Sequence, residues 1–338
     1  MARFIDALLS EAEARAPKLP TINLETLYLG GGTPSMLSPT LLRRLLEGLN
    51  KIFVILPAAE INLEANPATF GSQTASVYAD LGISRVSLGA QSFDPAILDT
   101  LGRDHDSADI IRSVTLLREA GIENVSVDLI FSVPGQSLDQ WEASLEEAMG
   151  LLPTHISAYN LTYEEDTVFF ERFQQGMYQE VEDLNADMFL LAHEFLTDRG
   201  MRHYETSNYA HPGFESRHNR SYWAGKDYLG IGPSAVSTIG GRRWKNIPDT
   251  GKYLHTVEQV GHAEYEVEDL TGSQLDLERL ALMLRTDEGV HRRHLGEVEP
   301  ERIEHTVEEG LAEWNGEYFR LLGKGPLLVD SIVDHLAS

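Results

Sequence analysis

The chain of 338 residues is long enough for one large domain and a smaller one, and its 42% apolar and 24% charged residues are typical of a globular protein. Its 53 acidic residues outnumber 27 basic ones, and the net charge of -26 argues against nucleic acid and anionic lipid as partners. It contains no cysteine, which excludes disulfides, cysteine-ligated zinc and a thiol nucleophile. The N-terminus lacks the features of a signal peptide, and no apolar run could form a transmembrane segment, so the sequence predicts a cytoplasmic protein.

Short apolar or β-branched runs alternate with helical stretches through most of the chain. The runs that predict strands are 26–30, 60–64, 85–89, 125–130, 155–159 and 202–207. The stretches that predict helices are 40–53, 74–81, 108–120, 138–151 and 184–199. Ser38 and Ser137 stand where helix N-caps belong, and Gly121 and Gly200 stand just past helix ends. The alternation predicts a parallel sheet covered by helices, either a barrel or a doubly wound sheet.

Polar or glycine residues end the predicted strands, on the side of the sheet where ligands gather in both architectures. These residues are Gly31, Gly32, Thr33, Glu64, Gln91 and Asp128. Core positions would be apolar, so this placement predicts a binding site. The triple glycine 30–32 has two interpretations, a tight strand-to-helix turn or a place where a bound molecule lies against bare backbone.

The pattern changes after about residue 210. The segment 211–223 is loop-like and aromatic, 228–239 is rich in glycine and small residues, and 240–271 has no clear period. Helices are predicted around 274–284 and 301–314, followed by a hairpin of 318–322 and 326–329 about the turn 323–325. Helices followed by a small hairpin indicate a winged-helix-like appendage.

Several motifs occur in a fixed order along the chain. They are LYLGGGTPS at 27–35, EANP at 64–67, RVSLGAQSF at 85–93, LGRDH at 101–105, VDLI at 127–130, VPGQ at 133–136, YETSNYA at 204–210, HNRSYW at 218–223, GIG at 230–232 and LRT at 284–286. Over essentially its whole length the chain resembles radical S-adenosylmethionine (SAM) proteins of the oxygen-independent coproporphyrinogen III oxidase group. The HNxxYW hexapeptide places it nearest to the heme chaperone branch of that group, HemW.

The resemblance implies a partial (β/α) TIM-like barrel of the radical SAM type that lacks its first strand, plus a small winged-helix-like C-terminal domain. The implied domains are a barrel at 1–210, a connecting region with the HNxxYW motif at 211–271, and the C-terminal domain at 272–338.

The resemblance also implies a role for each site residue. Gly31, Gly32 and Thr33 would meet the methionine amino end of S-adenosylmethionine. Glu64 and Arg103 would serve its ammonium, carboxylate and ribose, because an arginine fork can bond two carboxylate oxygens at once. Gln91 and Asp128 would contact the ribose and the remaining ligand groups. The alternative for each residue is a helix cap or a surface ion pair, and no catalytic residue is assigned.

His218 has two interpretations. Imidazole is a common axial ligand of heme iron, so the HNxxYW motif could contribute to heme binding. Alternatively, His218, Asn219 and a buried Tyr222 and Trp223 could form a structural network. The number of packing aromatics favours the structural network.

The sequence departs from the family pattern in one respect. Family members carry a CxxxCxxC loop whose thiolates hold a 4Fe–4S cluster, and this chain has no cysteine, so it cannot ligate that cluster through sulfur. Either an N-terminal segment with the first strand and the cysteines is missing, or the chain is a cluster-free relative. The apolar strand at 26–30 would be left as an open edge, which favours the missing segment.

The sequence therefore predicts a HemW-like heme chaperone that binds heme and S-adenosylmethionine and passes heme to an acceptor protein. The alternative is an oxygen-independent coproporphyrinogen III oxidase-like enzyme of porphyrin biosynthesis, against which the HNxxYW motif argues. A third interpretation is an inactive scaffold that binds neither ligand. The acceptor and the oligomeric state stay open.

Overall fold

The computed structural model describes residues 1–163, 168–176, 178, 181–296 and 298–338. The strands are β1 Asn23–Leu29, β2 Val54–Ala65, β3 Arg85–Gln91, β4 Val125–Phe131, β5 His155–Asn160, β6 Arg202–Glu205, β7 Asn208–Ala210, β8 Val236–Ile239, β9 Arg242–Asn246, β10 Glu264–Asp269, β11 Val290–His291, β12 Ala312–Asn315 and β13 Tyr318–Leu321. The helices are α1 Ala2–Arg15, α2 Pro39–Ile52, α3 Ser72–Asp80, α4 Pro95–Thr100, α5 Ser107–Glu119, α6 Leu138–Gly150, α7 Val168–Gln174, α8 Glu182–Thr197, α9 Arg217–Trp223, α10 Thr250–Val260, α11 Gly272–Met283, α12 Pro300–Glu308 and α13 Val329–Ala337. Within the described ranges, no helix combines the length and the apolar character that a membrane span requires.

The largest sheet in the described part of the chain has seven strands in the order β1-β2-β3-β4-β5-β7-β6. Strands β2 to β5 pair in parallel, and helices connect them. The predicted partial barrel of the radical SAM type is therefore confirmed. The strand predicted at 202–207 is confirmed as β6, which ends at Glu205, and a second strand, β7, follows it and pairs with it antiparallel. The carboxylate of Glu205 closes the turn between them by accepting from the backbone N–H of Ser207 at 3.2 Å.

Local sequence signals account for the helix boundaries in this region. The Ser38 hydroxyl accepts from the N–H of Leu41, and Ser137 forms a reciprocal capping box with Gln140. Gly121 and Gly200 end their helices with φ of 90° and 83°, which a residue with a Cβ rarely adopts.

The chain forms two compact units. The first unit comprises Met1–Leu27, Leu37–Glu60 and Ser216–Ser338, and the second comprises Tyr28–Met36 and Ile61–Glu215. The division into domains at 1–210, 211–271 and 272–338 stays a prediction.

In the second unit, the strand register separates a polar face of the sheet from an apolar one. The pairing places Glu64, Ser87, Ser126 and His155 in one row across β2 to β5. Asp128 and Ser157 lie opposite each other two residues further along. Since residues two apart share a face, these polar side chains lie together. The opposite face is apolar and buried, with Leu63, Val86, Leu88, Val127, Leu129 and Ile156.

In the first unit, the C-terminal residues form a small sheet, β11-β13-β12, whose apolar side packs with α11 and α13. The hairpin predicted from 318–322 and 326–329 is wrong. Strand β13 pairs with β12 across a turn at Gly316, which has a φ of 63°, and Pro326 lies in a 3₁₀ turn before α13. The helix predicted to Trp314 ends at Glu308 instead. Segment 240–271, which showed no period, contains β9, α10 and β10.

A buried carboxylate connects α1 to the rest of the first unit. Glu11 is fully buried and accepts hydrogen bonds from the Tyr253 hydroxyl at 2.7 Å, the N–H of Gly232 at 3.1 Å and the Asn246 amide at 2.9 Å. Arg15, one turn later, lies 3.6 Å from it and places its guanidinium 4.9 Å from the centre of the Trp244 ring. A charge with so many partners is costly to remove on one side only.

We expect Glu11→Ala to lower the free energy of unfolding by about 3–5 kcal/mol, because the buried donors of Tyr253, Gly232 and Asn246 would lose their shared acceptor and Arg15 would keep only Glu264 as a carboxylate partner. Glu13→Ala is the matched control on the exposed side of the same helix, and should change it by less than about 0.5 kcal/mol. Urea unfolding followed by circular dichroism measures both. Equal effects for the two variants would contradict the role of Glu11.

Candidate functional site

The glycine-rich loop after β1 is held by the carboxylate of Glu64. The Tyr28 hydroxyl donates to Glu64 Oε1 at 2.8 Å, and the backbone N–H of Gly31 donates to Oε2 at 3.1 Å. A Cβ at Gly30 would lie 2.8 Å from Glu64 Oε1, so only glycine fits there. Gly31 and Gly32 have φ of 76° and 84°, and the positions that their Cβ atoms would take are open space. Bare backbone therefore borders open space at this loop.

Asn66, at the end of β2, ties the same loop to the sheet. Its side-chain amide donates to Thr33 Oγ1 at 3.3 Å, and its backbone N–H donates to Ser35 Oγ at 3.2 Å. Asn66 belongs to the EANP motif at 64–67, which by itself assigns it no role.

Gln91 turns its side chain back along β3 toward Asn66. Its φ is 65°, a value that residues with a Cβ rarely adopt. A Cβ built on Gly89 would lie 2.8 Å from Gln91 Nε2 and 2.9 Å from Asn66 Oδ1, so both amides lie over this glycine. The backbone strain at Gln91 and the bare Gly89 are features of a site rather than of a regular strand.

Asp128 lies on the polar face within a set of serine hydroxyls. Ser87 Oγ lies 2.9 Å from Oδ1 and 2.8 Å from Oδ2, while Ser126 and Ser157 donate to Oδ1 at 3.0 and 2.7 Å. Burial raises the pKa of Asp128, and the three hydroxyls and the charge of Arg85 oppose that rise. Burial also raises the pKa of Glu64, to which the charge of Asp128 adds, so the two carboxylates share one environment.

Arg103, which follows α4, carries a guanidinium whose Nε is buried and has no hydrogen-bond partner among the described residues. Burial lowers the pKa of this side chain. A buried donor without a partner is costly, so an anionic ligand would satisfy Arg103. No contact joins Arg103 to the carboxylates of Glu64 or Asp128 in the described part of the second unit.

The HNxxYW segment forms α9 in the first unit. The carboxylate of Glu60 accepts from the backbone N–H groups of Arg217 at 3.2 Å and His218 at 3.1 Å, which fixes the start of the helix. His218 Nδ1 lies 3.0 Å from Thr26 Oγ1, and burial lowers the pKa of its ring. The expected burial of Tyr222 and Trp223 is wrong: Tyr222 is 39% exposed and Trp223 is only half-buried. The number of aromatic residues therefore gives no support to a purely structural motif, although the Tyr222 ring lies 4.9 Å from that of His218.

These residues fit one of the two groups that the fold implies. Open backbone at Gly31 and Gly32, two half-buried carboxylates and an arginine whose Nε has no partner among the described residues fit the amino acid and ribose of S-adenosylmethionine. They do not fit an iron–sulfur cluster, because the chain has no thiolate and the described residues contain no group of three or more metal-ligating side chains.

Sequence reasoning missed Tyr28, Ser87, Ser126, Ser157 and His155. Their signal was polar residues at alternate positions of strands that should be buried on both sides.

Comparison with known proteins is consistent with this geometry. Residues 6–148 match the model of the radical SAM superfamily. The heme chaperone HemW of Mycobacterium tuberculosis is 35% identical over 332 residues, which are 98% of this chain and 85% of that protein. HemW of Lactococcus lactis is 36% identical over 85% of this chain and 74% of that protein. Mouse mitochondrial radical S-adenosyl methionine domain-containing protein 1 is 33% identical over 97% of this chain and 79% of that protein.

The structure of coproporphyrinogen III oxidase, HemN, from Escherichia coli superposes with a TM-score of 0.84 over 99% of this chain and 82% of that one. Its 22% identity shows a common fold alone. The identity to the HemW proteins extends over most of both chains, and it shows that this chain belongs to the HemW family of radical SAM proteins.

Proposed function

We propose that the chain binds S-adenosylmethionine in the second unit, binds heme through α9 in the first unit, and transfers heme to an acceptor protein in the cytoplasm. The observation that supports this most is the 35% identity to a heme chaperone across 98% of the chain. No observation on the site favours the alternative, an oxidase of coproporphyrinogen III, because the likeness to HemN concerns the fold alone.

S-adenosylmethionine has a sulfonium centre flanked by an amino acid and a nucleoside. Different residues of the second unit bind these groups. Glu64 accepts from the ammonium, and Arg103 donates to the carboxylate with its two-pronged fork. Gln91 and Asp128 take the ribose hydroxyls. The loop at Gly31 brings backbone donors close because no Cβ intervenes.

The role proposed for this site in the present chain is binding. A radical step needs an electron source that the side chains of this sequence do not hold, because cysteine is absent. No such step is assigned to the chain.

His218 is the proposed axial ligand of heme. The lowered pKa keeps its imidazole neutral near pH 7, which is the form that ligates iron. When Nδ1–H donates to Thr26, the ring presents the Nε2 lone pair to a metal, as ligating histidines usually do. Exposed Tyr222, whose ring lies 4.4 Å from that of Tyr228, offers an aromatic surface to the macrocycle. An accessible site suits a protein that must release its heme.

The role of Arg103 can be separated from that of the ribose contacts. We expect Arg103→Met to weaken S-adenosylmethionine binding by about tenfold to a hundredfold, since one charge-assisted pair is lost. Binding of methylthioadenosine, which lacks the carboxylate, should not change. Isothermal titration of the full chain measures both ligands. Arg112→Met, an exposed arginine on α5, is the matched control. A parallel loss for both ligands would remove Arg103 from the carboxylate site.

The heme ligand can be tested by titrating the full chain with heme and following the Soret band. His218→Ala should weaken heme affinity more than about tenfold and shift the band, because the axial nitrogen is removed. His255→Ala is the control, an exposed histidine on α10 in the same unit. Unchanged affinity and an unchanged band in His218→Ala would eliminate His218. Preference for coproporphyrinogen III over heme in the same titration would favour the oxidase.

A further inference from the structure

A buried chain of hydrogen bonds leads away from Asp128 to residues with no assigned role. Ser126 Oγ, which contacts Asp128 Oδ1, also lies 2.7 Å from His155 Nδ1. His155 Nε2 in turn lies 2.9 Å from the Tyr204 hydroxyl. His155 and Tyr204 are both 1% exposed. The path Tyr204–His155–Ser126–Asp128 lies entirely within the second unit.

The number of hydrogens on each group determines the direction of the path, that is, which group donates in each hydrogen bond. A serine hydroxyl has one hydrogen, and Asp128 Oδ1 is an acceptor whether the carboxyl is ionised or carries its proton on Oδ2. If Ser126 donates to Asp128, then the 2.7 Å contact with His155 is a hydrogen bond only when Nδ1 carries the ring proton. Nε2 of a neutral ring is then bare and accepts from Tyr204. Burial lowers the pKa of His155 well below its usual value, which agrees with a neutral ring.

The opposite arrangement is less favourable. With the proton on Nε2, Ser126 would donate to His155 and turn an oxygen lone pair toward Asp128 Oδ1 at 3.0 Å. The carboxyl group of Asp128 would then lose the hydrogen bond from Ser126. An acceptor that is shielded from water and lacks a donor costs free energy. The hydrogen bond between Tyr204 and His155 is therefore coupled, through the ring tautomer, to the hydrogen bond between Ser126 and Asp128.

We propose that His155 and Tyr204 are positioning residues of the nucleoside subsite, which hold the Ser126 hydroxyl toward Asp128 Oδ1 and so orient the carboxyl group for ribose. Oδ2, which contacts only Ser87 among the described residues, is the oxygen left for the ligand. The ligand part of this proposal rests on the proposed binding of S-adenosylmethionine, whereas the direction of the hydrogen bonds does not.

Other charged groups act on Asp128 and must be held constant. Arg85 faces it and lowers its pKa, while Glu64, Tyr28 and Tyr159 share its surroundings. All measurements are therefore made at one pH near neutrality on variants that keep these residues.

The direction of the path is tested by NMR of the full chain labelled with ¹⁵N-histidine. The His155 signals are assigned by their loss in His155→Asn. We expect the pattern of a neutral ring protonated at Nδ1, and Tyr204→Phe should move the ring toward the other tautomer. A ring protonated at Nε2 in the unmutated chain would overturn the proposal. This readout does not depend on any ligand.

The effect on binding is tested by titration with S-adenosylmethionine and with methylthioadenosine. Tyr204→Phe should weaken both ligands by about threefold to tenfold, because both contain the ribose. Tyr265→Phe, which removes the hydroxyl of an exposed tyrosine on β10, is the control. Equal affinity in Tyr204→Phe and the unmutated chain would overturn the positioning role.

A conservative substitution separates orientation from folding. His155→Asn keeps an N–H near the position of Nδ1 and should retain tighter binding than His155→Leu. If His155→Leu does not fold, the Tyr204→Phe comparison decides. Equal losses in two folded His155 variants would contradict the proposal. Failure of the unmutated chain to bind either ligand would overturn the proposed function, while the tautomer measurement would still decide the direction of the path.

Discussion

A carboxyl group removed from water needs hydrogen-bond donors, and Asp128 obtains them from three adjacent strands. Ser87 lies on β3, Ser126 on β4 and Ser157 on β5, and the parallel register brings all three hydroxyls to one point. A shift of one residue in any of these strands would exchange a serine for an apolar neighbour and leave the carboxyl group short of a partner. The register of the sheet and the chemistry of the site are therefore a single constraint, which Val86, Val127 and Ile156 reinforce by filling the opposite face.

Two other carboxylates, those of Glu11 and Glu60, are buried and have different roles. Glu11 has both oxygens occupied by protein donors and a cation within 3.6 Å, so it is structural. Glu60 is directed at the first N–H groups of α9, where the helix dipole favours negative charge, and it fixes the helix that carries His218. Asp128 differs in the kind of its partners, which are serine hydroxyls in the described part of the chain: Ser126 and Ser157 donate to Oδ1, and Ser87 lies nearest to Oδ2. Its half-buried place on the polar face of the sheet is the reason that we propose it as a ligand contact.

Sequence alone could predict the parts of this structure that depend on local chemistry. Capping serines, glycines after helices and the alternation of elements predicted the helices and the barrel sheet. Glu64 and Gln91 lie at the ends of β2 and β3 as expected, whereas Asp128 lies in the middle of β4. The errors occurred where residues far apart in the sequence determine the strand pairing or the exposure of a side chain. Glycine turns occur both at Gly316 and at 323–325 near the C-terminus. The hairpin forms at Gly316, because Pro326, after the second turn, lacks the N–H that a paired strand needs. The interior serines and His155 were missed because each strand was interpreted as an apolar run, although alternate positions were polar. The exposure of Tyr222 depends on what covers α9, which residue type does not specify.

Recognition of S-adenosylmethionine and cleavage of S-adenosylmethionine make different demands on a protein. Recognition needs oriented donors and acceptors, and the residues proposed for that role in the second unit are Gly31, Glu64, Gln91, Arg103 and Asp128. Cleavage needs an electron, and in this family that function belongs to thiolates that the sequence does not contain. Heme binding through His218, as proposed, would need neither the electron nor the thiolates, because a neutral imidazole on α9 is sufficient to ligate iron. The two binding functions proposed for this chain therefore do not depend on radical chemistry, and substitutions of Arg103 and His218 test them separately.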